Sequence, residues 1–96
     1  MDNTDIELVI DMPVPEVLRL TLSQDGAVLV SEDVPYHGHV DNLLLTAVDN
    51  LLRRSNLHRS ALVAVKVGQG IDINSSLYRI IQSFASAIAA ASKRHT

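Results

Sequence analysis

The chain has 96 residues, 47% of them apolar, a formal net charge of −3 and no cysteine. That length suits one domain burying roughly two-thirds of its unfolded surface. The charge gives no general attraction to nucleic acid or anionic membrane, and the lack of cysteine excludes disulfides and thiolate metal sites. Phe84, Tyr36 and Tyr78 are the only aromatic residues, so the core must be built from Leu, Ile, Val and Ala. Met1-Asp2-Asn3-Thr4-Asp5 is acidic with no signal-like apolar run behind it. No stretch approaches the ~20 apolar residues of a membrane span. A cytoplasmic protein is expected.

Ile6-Glu7-Leu8-Val9-Ile10-Asp11 reads as a first strand, stopped by Met12-Pro13-Val14-Pro15 because proline cannot donate to a sheet ladder. From Glu16 to Ser23 the pattern has period two, with Val17, Leu18, Leu20 and Leu22 set against Arg19, Thr21 and Ser23. Asp25-Gly26 then separates this run from Ala27 to Val34, a strong hairpin signal. Pro35-Tyr36-His37-Gly38-His39 reads as a loop.

A helix is expected from about Val40 to Ser55, with Asn56 as its C-cap and Arg53 and Arg54 at the negative end of its dipole. Val40, Leu43, Leu44, Ala47 and Leu51 form one face, and Leu45, Val48 and Leu52 widen it. The apolar arc is about 200° wide, more than one core contact requires, and the excess suggests a second buried contact.

Ala61 to Val67 is rich in β-branched residues and predicts a strand covered on both faces. Gly68-Gln69-Gly70 breaks it, and Asn74 or Ser75 can cap the helix that follows. In that helix Leu77, Ile80, Ile81, Phe84 and Ile88 form an apolar stripe, beside which Ser83, Ala87, Ala90 and Ala91 leave a smooth side open to another helix. The order βββαβα, as one domain over residues 1–96, is that of a ribonuclease H-like α/β fold with a mixed sheet and two helices on one side.

Several of these pieces resemble the N-terminal half of the TsaB (YeaZ) family, which takes part in making threonylcarbamoyladenosine on tRNA. They are Val9-Ile10-Asp11, the hairpin at Asp25-Gly26, His39, Leu43-Leu44, Leu51-Leu52, Leu62-Val63-Ala64-Val65, Gly68-Gln69-Gly70 and Arg79-Ile80 before the alanines. The likeness runs from about Ile6 to Ala91. There are departures: Asp11 is followed by Met12-Pro13 rather than by hydroxyl residues, the glycine loop is longer, and the second half of the duplicated fold is missing. The resemblance implies half of the actin and sugar-kinase superfamily fold, without the nucleotide cleft that forms between two halves. It also implies a non-catalytic module that pairs through its helices with itself or with a TsaD-like catalytic subunit.

His37, His39 and Asp41 have side chains suited to a zinc-like metal, yet the preferred reading is two exposed loop histidines with Asp41 in the first turn of the helix, favoured there by the dipole. Asp11, Gly68 and Gly70 are the candidates for nucleotide binding. The alternative is a strand-terminal carboxylate bonding a tight turn, since neither a P-loop nor a dinucleotide fingerprint is present. Asp11 with the His37/His39/Asp41 loop would be the basis of a metal- or nucleotide-dependent enzyme. Arg53, Arg54, His58 and Arg59, with Lys93, Arg94 and His95, form basic clusters that an RNA-contacting accessory domain would use. No aromatic residue is interleaved with them for base stacking, so direct nucleic-acid contact is not expected. The residues instead favour protein association through Leu45, Val48, Leu52, Ser83, Ala87 and Ala91. No catalytic residue, metal or cofactor is assigned.

Overall fold

The computed structural model describes residues 5–36 and 41–93, with the side chains of 41–43, 59 and 91–93 outside the description. Strands β1 (Ile6–Val14), β2 (Val17–Gln24) and β3 (Ala27–Pro35) form an antiparallel meander. Helix α1 (Asp41–Arg54) and a single 3-10 turn (Arg59–Ala61) lead to β4 (Leu62–Val67), and α2 (Ser76–Lys93) closes the described chain. The sheet order is β3-β2-β1-β4, with β4 parallel to β1. A mixed four-stranded sheet with two helices is therefore the observed architecture.

Two tight turns set the register of the meander. Asp25 and Gly26 have φ of 54° and 82°, the doubly positive pair that two-residue hairpins favour because its twist matches the strands. Between β1 and β2, Pro15 precedes Glu16, whose φ is 68°. Proline pre-sets the first central position of such a turn, while the second must accept positive φ.

The ladder places Ile6, Leu8 and Ile10 of β1 on the same face as Leu22, Leu20 and Leu18 of β2, and all six are buried. They join Leu44, Ala47, Val48, Leu51 and Leu52 of α1 and Leu77, Ile81 and Ile88 of α2 in one apolar cluster. Both helices thus cover a single face of the sheet. Each large aliphatic side chain buried there contributes about 1.5–3 kcal/mol. The opposite face carries paired polar residues: Arg19 with Asp33 at 2.8 Å, Lys66 with Glu7 at 3.2 Å, and Thr21 with Ser31 at 3.3 Å. The Asp33 carboxyl is held below its ordinary pKa by the hydrogen bond from Arg19, and the guanidinium is raised by the same bond.

Three expectations need correction. First, β1 continues through Met12 and Pro13 to Val14. The register shifts between Asp11 and Val14, so Pro13 falls in an irregular part of the ladder where a missing donor costs little. Second, β4 is not covered on both faces. Within Leu62–Val67, at one edge of the sheet, only Leu62 is buried. Third, the wide arc of α1 is absorbed almost wholly inside the chain. Val48 and Leu52, assigned to an outside contact, are each 2% exposed. Both belong to the core cluster built on the inner face of the sheet, against which Leu57, just past α1, also packs.

The helix ends follow their caps. At the end of α1, Leu57 N donates to Leu52 O at 2.8 Å and Asn56 N to Arg53 O at 3.1 Å. With Asn56 at φ 58°, this is the Schellman pattern of a left-handed residue just past a helix. At the start of α2, Ser75 Oγ accepts from Tyr78 N at 3.1 Å and donates to Asp72 O at 2.6 Å, so Ser75 is the N-cap.

Candidate functional site

α1 and α2 do not close over each other. Between them runs an open groove of about 460 Å³, lined by Leu44 and Leu45 on one wall and by Arg79, Ile80, Ser83, Phe84 and Ala87 on the other. The spacing of the α2 residues explains this. Arg79, Ser83 and Ala87 recur at intervals of one turn, so a row of short side chains with one cation at its head faces the gap. Leu45 is 45% exposed on the facing helix, the part of the α1 arc that the chain's own core does not cover.

Of the six residues expected at an association surface, Leu45, Ser83 and Ala87 line this groove, whereas Val48 and Leu52 are buried in the core and Leu52 borders a second cavity with Leu57 and His58. Ala91 has its side chain outside the described residues. Leu44, Ile80, Phe84 and Arg79 were not anticipated. Arg79 was within reach of sequence reasoning, since it extends the Ser83–Ala87–Ala91 row by one turn toward the N-terminus.

The residues considered for nucleotide binding are brought together, but with one another as partners. Asp11 Oδ1 accepts a hydrogen bond from Gln69 N at 2.7 Å. Gly68 N donates to Ile10 O and Met12 N donates to Gln69 O, each at 2.8 Å. The amides of Gly68 and Gln69, two donors a phosphate would need from such a loop, are therefore already engaged by β1. The glycines are required by closeness: a Cβ on Gly68 would lie 1.8 Å from Asp11 Oδ1, and one on Gly70, at φ +84°, would lie 2.1 Å from Met12 O.

His37 and His39 lie outside the described residues, as does the side chain of Asp41. Among the described residues, no three His, Cys, Asp or Glu side chains gather as a metal-ligating group. In the basic cluster at the end of α1, Arg54 is ion-paired with Glu32 of β3. Arg53 and His58 border a shallow cavity with Asp49. No described helix is long and apolar enough to cross a membrane.

The fold and groove define a small α/β sheet domain, layered on one face by two helices that leave an apolar cleft between them. Its relatives emerge from the comparison of structures. YeaZ from Pseudomonas aeruginosa superposes with a TM-score of 0.69 at 24% identity, over 93% of this chain and 40% of that one. A second solved structure from the same organism, described as an uncharacterized protein similar to peptidase YeaZ, matches with the same figures. The resemblance to the TsaB (YeaZ) proteins drawn from the sequence is thus met in three dimensions, as a likeness of fold. The chain spans less than half the length of these relatives, consistent with one half of such a protein. No family model matches the sequence, and no curated protein does.

Proposed function

We propose that this chain is a non-catalytic, TsaB-like association module of ribonuclease H-like architecture. It works in the cytoplasm by pairing through the face that α1 and α2 share, either with a second copy or with a TsaD-like subunit. The order β3-β2-β1-β4 with a parallel β1–β4 pair supports the architecture. The observation that carries the function is the open apolar groove with Leu45 exposed on its rim. Exposed apolar patches bordered by polar residues mark interaction surfaces. The link to threonylcarbamoyladenosine modification of tRNA rests on the YeaZ likeness. The enzymatic reading through Asp11 is disfavoured, because the carboxylate already bonds the Gln69 amide.

Light scattering over a dilution series, with and without a purified TsaD-like protein, tests this reading. Association that Leu45→Asp abolishes, with the circular dichroism spectrum unchanged, supports it. A chain that stays monomeric and leaves the TsaD-like protein unbound overturns it.

A further inference from the structure

We infer that the groove between α1 and α2 is a binding site for a single-chain amphiphile with an anionic head, a medium-length fatty carboxylate. Its head pairs with Arg79 and its tail lies along the groove toward Ala87. This goes beyond the association reading and shares its groove, so the amphiphile and a helical partner exclude one another.

Arg79 selects the head group. It is the fourth residue of α2 and is exposed, yet the first turn of a helix is where the macrodipole disfavours a cation and favours an anion. That turn holds no acidic residue, and Arg79 has no acidic partner among the described residues. Among the described residues lining the groove it alone is charged. A carboxylate placed there meets the positive end of the dipole and a guanidinium whose planar fork binds it through two parallel hydrogen bonds.

The remaining lining selects the tail. Leu44, Leu45, Ile80, Phe84 and Ala87 are apolar, and Ser83 is small. From Arg79 to Ala87 the groove follows α2 for two turns, about 12 Å at 1.5 Å per residue, the reach of a medium-length acyl chain. Its volume of about 460 Å³ falls in the range of small-molecule sites, which are mostly apolar with a few polar groups that fix orientation. A short acid would leave most of this surface wet, and an uncharged lipid would leave the cation unanswered.

Isothermal titration calorimetry of the full chain with decanoate, kept below its micelle-forming concentration, tests the site. Decanol and butyrate are the controls that carry only the tail or only the head. Decanoate should bind one to one, and removing the charge, as Arg79→Gln or as decanol, should weaken binding about fivefold, near the upper limit for an ion pair at an exposed site. Each methylene from hexanoate to decanoate should tighten binding by up to about fourfold. Should Arg79→Gln fail to fold, Leu45→Asp, which sets a carboxylate on the rim, must weaken decanoate binding instead. Decanoate that does not saturate the chain, or that binds wild type and Arg79→Gln alike, overturns the site. Decanoate that binds without loosening association through the Leu45 face overturns its placement in the groove. A chain that associates but ignores decanoate refutes the amphiphile and leaves the association reading standing. A chain that binds decanoate but stays monomeric and partnerless does the reverse.

Discussion

The Asp11 carboxylate and the Gln69 amide, 58 residues apart in sequence, meet at 2.7 Å and tie the end of β1 to the turn that leads into α2. The neighbouring Gly68 is so close that a methyl group there would fall on the same carboxylate oxygen. The pair forms a clasp internal to one chain.

The clasp makes a coupled prediction. Gly68→Ala forces the Asp11 side chain aside and breaks its bond to Gln69, at a cost of about 1–3 kcal/mol. In an Asp11→Ala background the same substitution should be far cheaper, since the obstructing oxygens are gone. Urea unfolding of the four members of this double-mutant cycle measures the coupling; additive costs would contradict the contact.

Gly70→Ala should be worse than Gly68→Ala. Its methyl meets the Met12 carbonyl, which is backbone and cannot rotate away, at a φ of +84°. The left-handed conformation alone costs a non-glycine residue about 1–2 kcal/mol. Thermal melts of the two alanine variants rank them directly.

Val48→Glu and Leu45→Asp should behave oppositely although the two residues are three positions apart on one helix. Val48 is 2% exposed, so a carboxylate there is buried without a partner and should unfold the chain. Leu45→Asp, at a half-open position, should change unfolding free energy by no more than about 0.5 kcal/mol and act on association alone. Circular dichroism separates the two outcomes.

The Arg19–Asp33 pair predicts a pH dependence of defined sign. Asp33 titrates below its ordinary 3.8 in the folded chain, so its contribution is present above that value and fades as the pH falls through the lowered folded pKa. The Arg19 contribution, from a raised pKa, persists until strongly alkaline pH. Both side chains are about half exposed, so the effect is small and screened by salt. Wild type and Asp33→Asn should differ in denaturant midpoint at neutral pH and low salt, and converge in acid.

Asn56 holds the left-handed position that ends α1, with φ 58°. Asn56→Gly should be tolerated, while Asn56→Val should cost about 1–2 kcal/mol, because a β-branched side chain cannot adopt that conformation cheaply. Chemical denaturation of the pair checks the cap.

Most of the element string was legible in the sequence because its signals are local. Period two from Val17 to Ser23, Asp25-Gly26 between two runs, Asn56 after the arginines and Ser75 before Leu77 each act within a few residues, and each is found where its chemistry places it. The sequence by itself also determined an aliphatic core and a stripe on each helix. Only the tertiary structure decided which apolar residues remain outside. Val48, Leu52 and Leu45 lie on one arc of α1 and are equivalent on a helical wheel, yet two are buried and one is half exposed. The difference lies in what stands over each: Leu45 is at the rim of the open groove facing α2, whereas Val48 and Leu52 belong to the core cluster, with Leu57 packed against it. Likewise β4 has the composition of a strand covered on both faces, yet beyond Leu62 it is only partly buried or exposed, because hydrophobicity records what a strand can bury, whereas what lies over it is set by the assembled fold.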